Sequence, residues 1–350
     1  MNHTRMCTQV SGSLNSVQLS ILDLAPVSEG AEPADAFRNS LELARYAEQW
    51  GFHRYWLAEH HSSPGTASSA TSVLISHIAA LTRHIRVGSG GIMLPNHAPL
   101  AIAEQFGTLE SLYPGRIDLG IGRAPGSNQA AARALRRDTD AVQDFPERLG
   151  ELRSYFKAAD TADERPRARA VPGEGLEVPI WLLGSSDYSA RLAGTLGLPF
   201  AFAGQFSPAY MMPALSLYRR SFVPTARLQK PLVMVGVHVI AADTDEQAQR
   251  LATSLYQKFL ALSRGRPSKI QPPVHTMDGR WTDQERHNVL TQLRDAIIGS
   301  PSTVQEKLHQ LVTKTQADEL IIATDAYRAE DRLRSYEIVR QLWEASSLQQ

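Results

Sequence analysis

Residues 85–122 read IRVGSGGIMLPNHAPLAIAEQFGTLESLYPGRIDLGIG, and their pattern decides the fold class. An apolar β-rich run, 85–94, gives way to an amphipathic segment over 99–112; a second apolar run, RIDLGIG at 116–122, follows the YPG turn. A helix-length connection between two strands is a crossover, so the strands run parallel, whereas antiparallel neighbours need only a short hairpin. Both runs are nearly continuous in apolar residues, the mark of strands covered on both faces.

The same alternation extends outward in both directions. LSILDLA (19–25), YWLAEH (55–60), PIWLLGS (179–185), PFAFAG (199–204), LVMVGVHVIA (232–241) and ELIIATD (319–325) bring the strand candidates to eight. Helical segments at 35–50, 69–82, 145–158, 188–196, 208–222, 245–262 and 302–315 lie between or after them, with a last one at 331–345. Asp245 and the Ser302–Thr303 pair read as caps for the two helices they open. Eight βα units match an α/β fold of the (β/α)8 TIM-barrel type, which needs about 250 residues. The surplus falls in two expected excursions, 160–178 and 264–288, and in residues 1–17, read as a disordered tail; 18–350 then form a single barrel domain.

Composition narrows the function. The 350 residues are 43% hydrophobic and 21% charged, ample for a full core. Thirty-six Lys and Arg balance thirty-six Asp and Glu, so no global field favours nucleic acid or an anionic membrane. The one cysteine, Cys7, cannot form an internal disulfide. There is no apolar run of signal-peptide or membrane-span length, and a cytoplasmic location is expected.

Polar residues cluster where strand candidates end. In AEHH, strand alternation sends Glu59 and His61 to one face and His60 to the other, so only one imidazole can meet a given ligand. That argues against a shared metal site; HExxH and GxSxG motifs are also absent. Gly88, Gly90 and Gly91 interrupt a strong strand, as a bulge or a close approach of backbone or flat ligand requires. GIGRAPG (120–126) misses the dinucleotide fingerprint because Gly126 lies four residues after Gly122 and Pro125 intervenes. It leaves Arg123 at a strand exit, either an anion contact or a surface ion-pair partner. Gly184, Ser185 and Ser186 lead into a helix as a phosphate cradle or a plain cap would, and Arg148 could add a second cation. His77, His84, His97 and His238 have no readable partner.

Together, AEHH, VGSGGIMLP, YPGRIDLGIGRAPG and GSSDYSARLAGTLGLP strongly resemble the bacterial luciferase-like flavin-dependent monooxygenases, from residue 19 to about residue 342. The likeness is to single-chain bacterial oxidoreductases more than to light-emitting subunits. It implies a TIM barrel with an insertion, a homodimer, and reduced FMN delivered by a separate flavin reductase. O2 would then form a C4a-peroxyflavin that oxygenates a small organic substrate.

The resemblance also implies roles. His60 matches the histidine that meets the reduced flavin, with Glu59 and His61 beside it as further catalytic candidates; Gly90 and Gly91 match a cis-linked pair under the ring. Arg123, Arg148, Ser185, Ser186 and Ser189 match positions around the FMN phosphate. No metal is implied. Gly122 replaces a reactive cysteine of light-emitting subunits and Ser185 replaces a glutamate, which makes luminescence improbable and leaves FMN binding intact. Hydride transfer with deazaflavin F420, and flavin storage without turnover, are the alternative readings. Phe37, Met93, Phe202 and Phe206 are candidate substrate-pocket residues or core, and 264–288 is a candidate lid.

Overall fold

The computed structural model describes residues 17–124, 129–136, 143–158 and 168–347. Its strands are β1 (Gln18–Asp23), β2 (Arg54–Leu57), β3 (Arg86–Met93), β4 (Ile117–Gly122), β5 (Ile180–Gly184), β6 (Phe200–Phe202), β7 (Val233–Ala241), β8 (Ile297–Gly299) and β9 (Glu319–Ala323). All pairings between them are parallel, in the order β6-β5-β4-β3-β2-β1-β9-β7, and β6 pairs with β7 to close an eight-stranded barrel. The TIM barrel expected from the alternation is therefore the fold. The exception is β8, absent from the sequence reading, which pairs with residues 239–241 of β7 beyond those engaged by β6 and β9.

Alternation along each strand makes two cores. Outward residues such as Leu19, Ile21, Tyr55, Leu57, Val87 and Leu119 pack under the helices in the main cluster. Inward residues Leu22, Trp56, Trp181, Ala201, Met234 and Ile321 fill the barrel's middle. Toward the strands' N-terminal ends lies a charged layer. Arg54 reaches Asp118 at 2.7 Å and Glu319 at 2.8 Å, and Arg86 reaches Asp118 at 2.6 Å. The Arg54 guanidinium lies 4.8 Å from the Trp181 ring centroid, and Trp181 meets Trp56 edge to face at 5.5 Å. The barrel is thus plugged from below by ion pairs and two tryptophans, which leaves its C-terminal mouth as the open end.

Several expectations need correction. The tail reading falls on residues 1–16, outside the described residues, except for Val17, which is buried in the core. Part of the 160–178 excursion also lies outside them; its described part packs on helix Pro99–Leu112, where a Cβ on Gly107 would stand 2.3 Å from the Pro172 carbonyl oxygen. The 264–288 excursion is not a bare loop. Ile270 and Met277 are buried, the backbone at Ile270 pairs with that of Ser28, and Thr282 and Glu285 form a capping box that starts helix Asp283–Gln292. The cap of helix Asp245–Ser263 is Thr244, whose hydroxyl accepts from the Gln247 N–H; Asp245 accepts from the Ser300 N–H at 2.7 Å instead. Helix Pro301–Thr315 is preceded by Ser300 at its N-cap, not by the Ser302–Thr303 pair.

Candidate active site

At the barrel mouth is a cavity of about 470 Å³. Its walls are mainly apolar: Leu22, Leu24, Trp56 and Ala58 from the first two strand ends, with Leu183, Ala201, Met234 and Ile321. Polar side chains enter it at few places, namely His60, Arg123, Ser185, Ser186, Ser189 and Gln205. A concave, mainly apolar space with a few convergent polar groups is the usual form of a small-molecule site.

The EHH run divides as alternation requires, although β2 stops at Leu57. His60 lines the cavity, its ring 6.4 Å from that of Phe206 and its backbone N–H donated to the Ser68 carbonyl. Glu59 points away and is fully buried. Its carboxylate engages His61 Nε2 at 2.8 Å and His97 Nε2 at 2.9 Å, and accepts from the Met93 N–H at 2.9 Å and Asn96 Nδ2 at 3.1 Å. Burial alone would raise the Glu59 pKa, but the His97 and His61 contacts and the Met93 N–H hold it below the usual carboxylate value. Glu59 is therefore an anchor joining the ends of β2 and β3, and neither it nor His61 lines the cavity. His97 has the partner that the sequence concealed, because thirty-eight positions separate it from Glu59.

The glycines of β3 serve both readings made of them. A Cβ on Gly88 would lie 2.5 Å from the Asp118 carbonyl oxygen, and the register with β4 shifts between Ser89 and Ile92. The Gly90–Gly91 bond is cis, as the resemblance implied, and Gly90 lines the cavity.

At another part of the wall, β5 runs through Gly184 and Ser185 into helix Asp187–Thr195. Ser186 occupies the N-cap with extended backbone, yet its side chain does not cap the helix, so this first turn keeps donor capacity for an anion. Ser189 is admitted by Gly184: a Cβ there would stand 2.4 Å from the Ser189 hydroxyl oxygen. The Arg123 guanidinium stacks 4.1 Å from the centroid of Tyr188, in the first turn of that helix. Stacking orients a flexible cation beside the helix end. Arg148 sits in helix Phe145–Tyr155 and does not line the cavity. Pro125 and Gly126 lie outside the described residues. Of the pocket candidates, Met93, Phe202 and Phe206 line the cavity and Phe37 does not; no residue of 264–288 does.

Arg123, three serines at a helix start, Gly90 and His60 thus meet on one cavity, which Arg148 does not border. A family model for luciferase-like monooxygenases matches residues 17–319. The chain belongs to the luciferase-like monooxygenase family. It is 49% identical to a luciferase-like monooxygenase of Escherichia coli, over 92% of this chain and 96% of that protein. It is 33% identical to an N-acetyl-S-alkylcysteine monooxygenase of Bacillus subtilis, over 92% and 97%. The crystal structure of apo-MsnO8 superposes with a TM-score of 0.82 at 35% identity, covering 94% of this chain and 98% of that one. Among the described residues of this family member, no helix is long and apolar enough to cross a membrane, and no cluster of His, Cys, Asp and Glu could hold a metal ion.

Gln205, Trp56 and Trp181 had no site motif to announce them, and Tyr188 and His97 were read without a role. Tyr188 had one faint signal, an aromatic two residues after the Ser186 cradle.

Proposed function

We propose that this protein binds reduced FMN, supplied by a separate reductase, and with O2 oxygenates a small organic substrate in the cavity. The carrying observation is that a cation and a helix N-terminus border the same apolar cavity as His60. The residues present fit the cofactor. Arg123, Ser185, Ser186 and Ser189 would hold its phosphate through charge-assisted hydrogen bonds, and the wall around Gly90 would take the flat ring. Reduced flavin supplies the electrons for oxygen activation, the part of the chemistry no side chain can perform.

The chain's own residues do the rest. Leu22, Leu24, Leu183, Met234 and Ile321 keep water from the reacting centre, where a reactive oxygen species would otherwise be lost to solvent. His60 accepts or donates a proton at a ring nitrogen, and Glu59 holds the loop that presents it without taking part itself. The Bacillus subtilis relative's name supports a small organic molecule as substrate class.

The test is titration with FMN, reduced FMN and F420, followed by product analysis with reduced FMN, O2 and a substrate panel. Oxygenated product from the FMN-loaded protein is expected. His60→Ala should retain FMN affinity and lose product formation by about 10²-fold or more. Preference for F420 with hydride transfer, or FMN binding without any product, would overturn the reading.

A further inference from the structure

One polar side chain of the cavity wall has no task in the reading above. Gln205 follows β6 in a turn closed by the Phe206 N–H on the Ala203 carbonyl, and the residue is 7% exposed. Its carboxamide folds back over β7 at Gly236, into the space a side chain would take: a Cβ there would stand 2.0 Å from Gln205 Oε1 and displace the amide. The amide thus occupies the space that Gly236 leaves open in the barrel wall.

Gln205 also borders a second, much smaller cavity behind the wall, shared with Gly236, His238, Gln292 and Asp295. Its volume, about 10 Å³, is room for a single water. Buried polar atoms on the residues around it lack a hydrogen-bond partner, Gln205 Oε1 and Asp295 Oδ2 among them, and the His238 ring, whose hydrogen-bonding contact is the Ala323 backbone, keeps a nitrogen without one. His238 is 3% exposed, and its Nδ1 stands 3.7 Å from Asp325 Oδ2, beyond hydrogen-bond range. Burial pushes this imidazole's pKa down to about 4, so at neutral pH the ring carries one donor and one acceptor. Unpaired buried polar atoms around a void of this size are the setting in which a structural water is retained.

We propose that Gln205, braced from behind by one ordered water shared with His238, is the residue through which the site selects its substrate. With Oε1 satisfied on the chamber side, Nε2 donates into the large cavity, so the preferred occupant is an apolar molecule bearing a hydrogen-bond acceptor such as a carbonyl oxygen. Gln205 is then a specificity residue, and His238 a positioning residue that acts through the water. The inference rests on the oxygenation reading only in calling the occupant a substrate.

The test uses cyclohexanone and methylenecyclohexane, of matched shape, which differ in the acceptor. Each is titrated against the full chain, with and without FMN, by the fluorescence of cavity-lining Trp56. The ketone should bind about tenfold more tightly than the alkene, the worth of one neutral hydrogen bond. Gln205→Leu should abolish the preference, as should Gln205→Met, which keeps the side chain's length and has no donor. Gly236→Ala should do the same by evicting the carboxamide. A high-resolution crystal structure should show one water within hydrogen-bond distance of Gln205 Oε1 and a His238 ring nitrogen.

Equal affinities, binding of neither probe, a preference that survives Gln205→Leu, or an empty chamber would overturn the proposal. FMN affinity, followed separately by flavin fluorescence, keeps the two readings apart: ketone preference without FMN binding would remove the flavin reading and leave this one standing.

Discussion

Arg123 leaves β4 at its C-terminal end and lies over the Tyr188 ring, so two elements distant in sequence fix one guanidinium beside a helix N-terminus. Charge-assisted hydrogen bonds to an anion are each worth roughly 1.5–3 kcal/mol. Arg123→Leu is accordingly expected to weaken FMN binding by about 10- to 100-fold while changing affinity for riboflavin, which has no phosphate, by far less. Equal losses for the two flavins in isothermal titration would show that Arg123 does not contact the phosphate. At this scale His60 was legible because a two-residue alternation separates it from Glu59 and His61 whether or not the strand continues. The work of Glu59 was not, since its partners Met93, Asn96 and His97 come from the end of another strand.

Among elements, the strands were the most readable. The apolar runs at 85–94 and 116–122 became β3 and β4 within a residue or two, because burial on both faces leaves few alternatives. Helix Asp283–Gln292 escaped notice: it is polar nearly all round and buries Val289 alone, so no apolar period marks it. β8, three residues long, is similarly too short to carry a pattern.

The charged layer under the barrel is an element-scale device with a measurable cost. Arg54 is 6% exposed, and its loss would leave Asp118 and Glu319 buried with less compensation. Arg54→Met should destabilise the fold by about 3–5 kcal/mol in urea unfolding. Arg334→Met, which removes the exposed contacts to Asp243 and Glu337, should cost about 1 kcal/mol or less. Similar costs for both would mean that water reaches the Arg54 layer.

For the whole molecule, helices Thr71–Ala80 and Pro99–Leu112 pack side by side against the barrel. They carry exposed Val73 (66%) and Leu112 (58%), with Leu81 (40%) at the end of the first. Large apolar side chains left exposed on neighbouring helices gain from burial against a second copy. A homodimer through this face is predicted, and Val73→Glu with Leu112→Glu should shift the protein to a monomer in sedimentation velocity. A wild-type monomer at micromolar concentration would rule the face out as the contact.

The amino-acid sequence by itself determined the parallel barrel and where its polar residues gather, because strand and helix periodicities and glycine spacing are local properties of the chain. Only the tertiary structure decided that Glu59 is an anchor, that Arg148 stands off the cavity while Arg123 borders it, and that Gln205 seats over Gly236 beside His238. Each of those outcomes depends on which residues from distant strands meet when the sheet closes on itself, and that closure is set by the packing of all eight strands together.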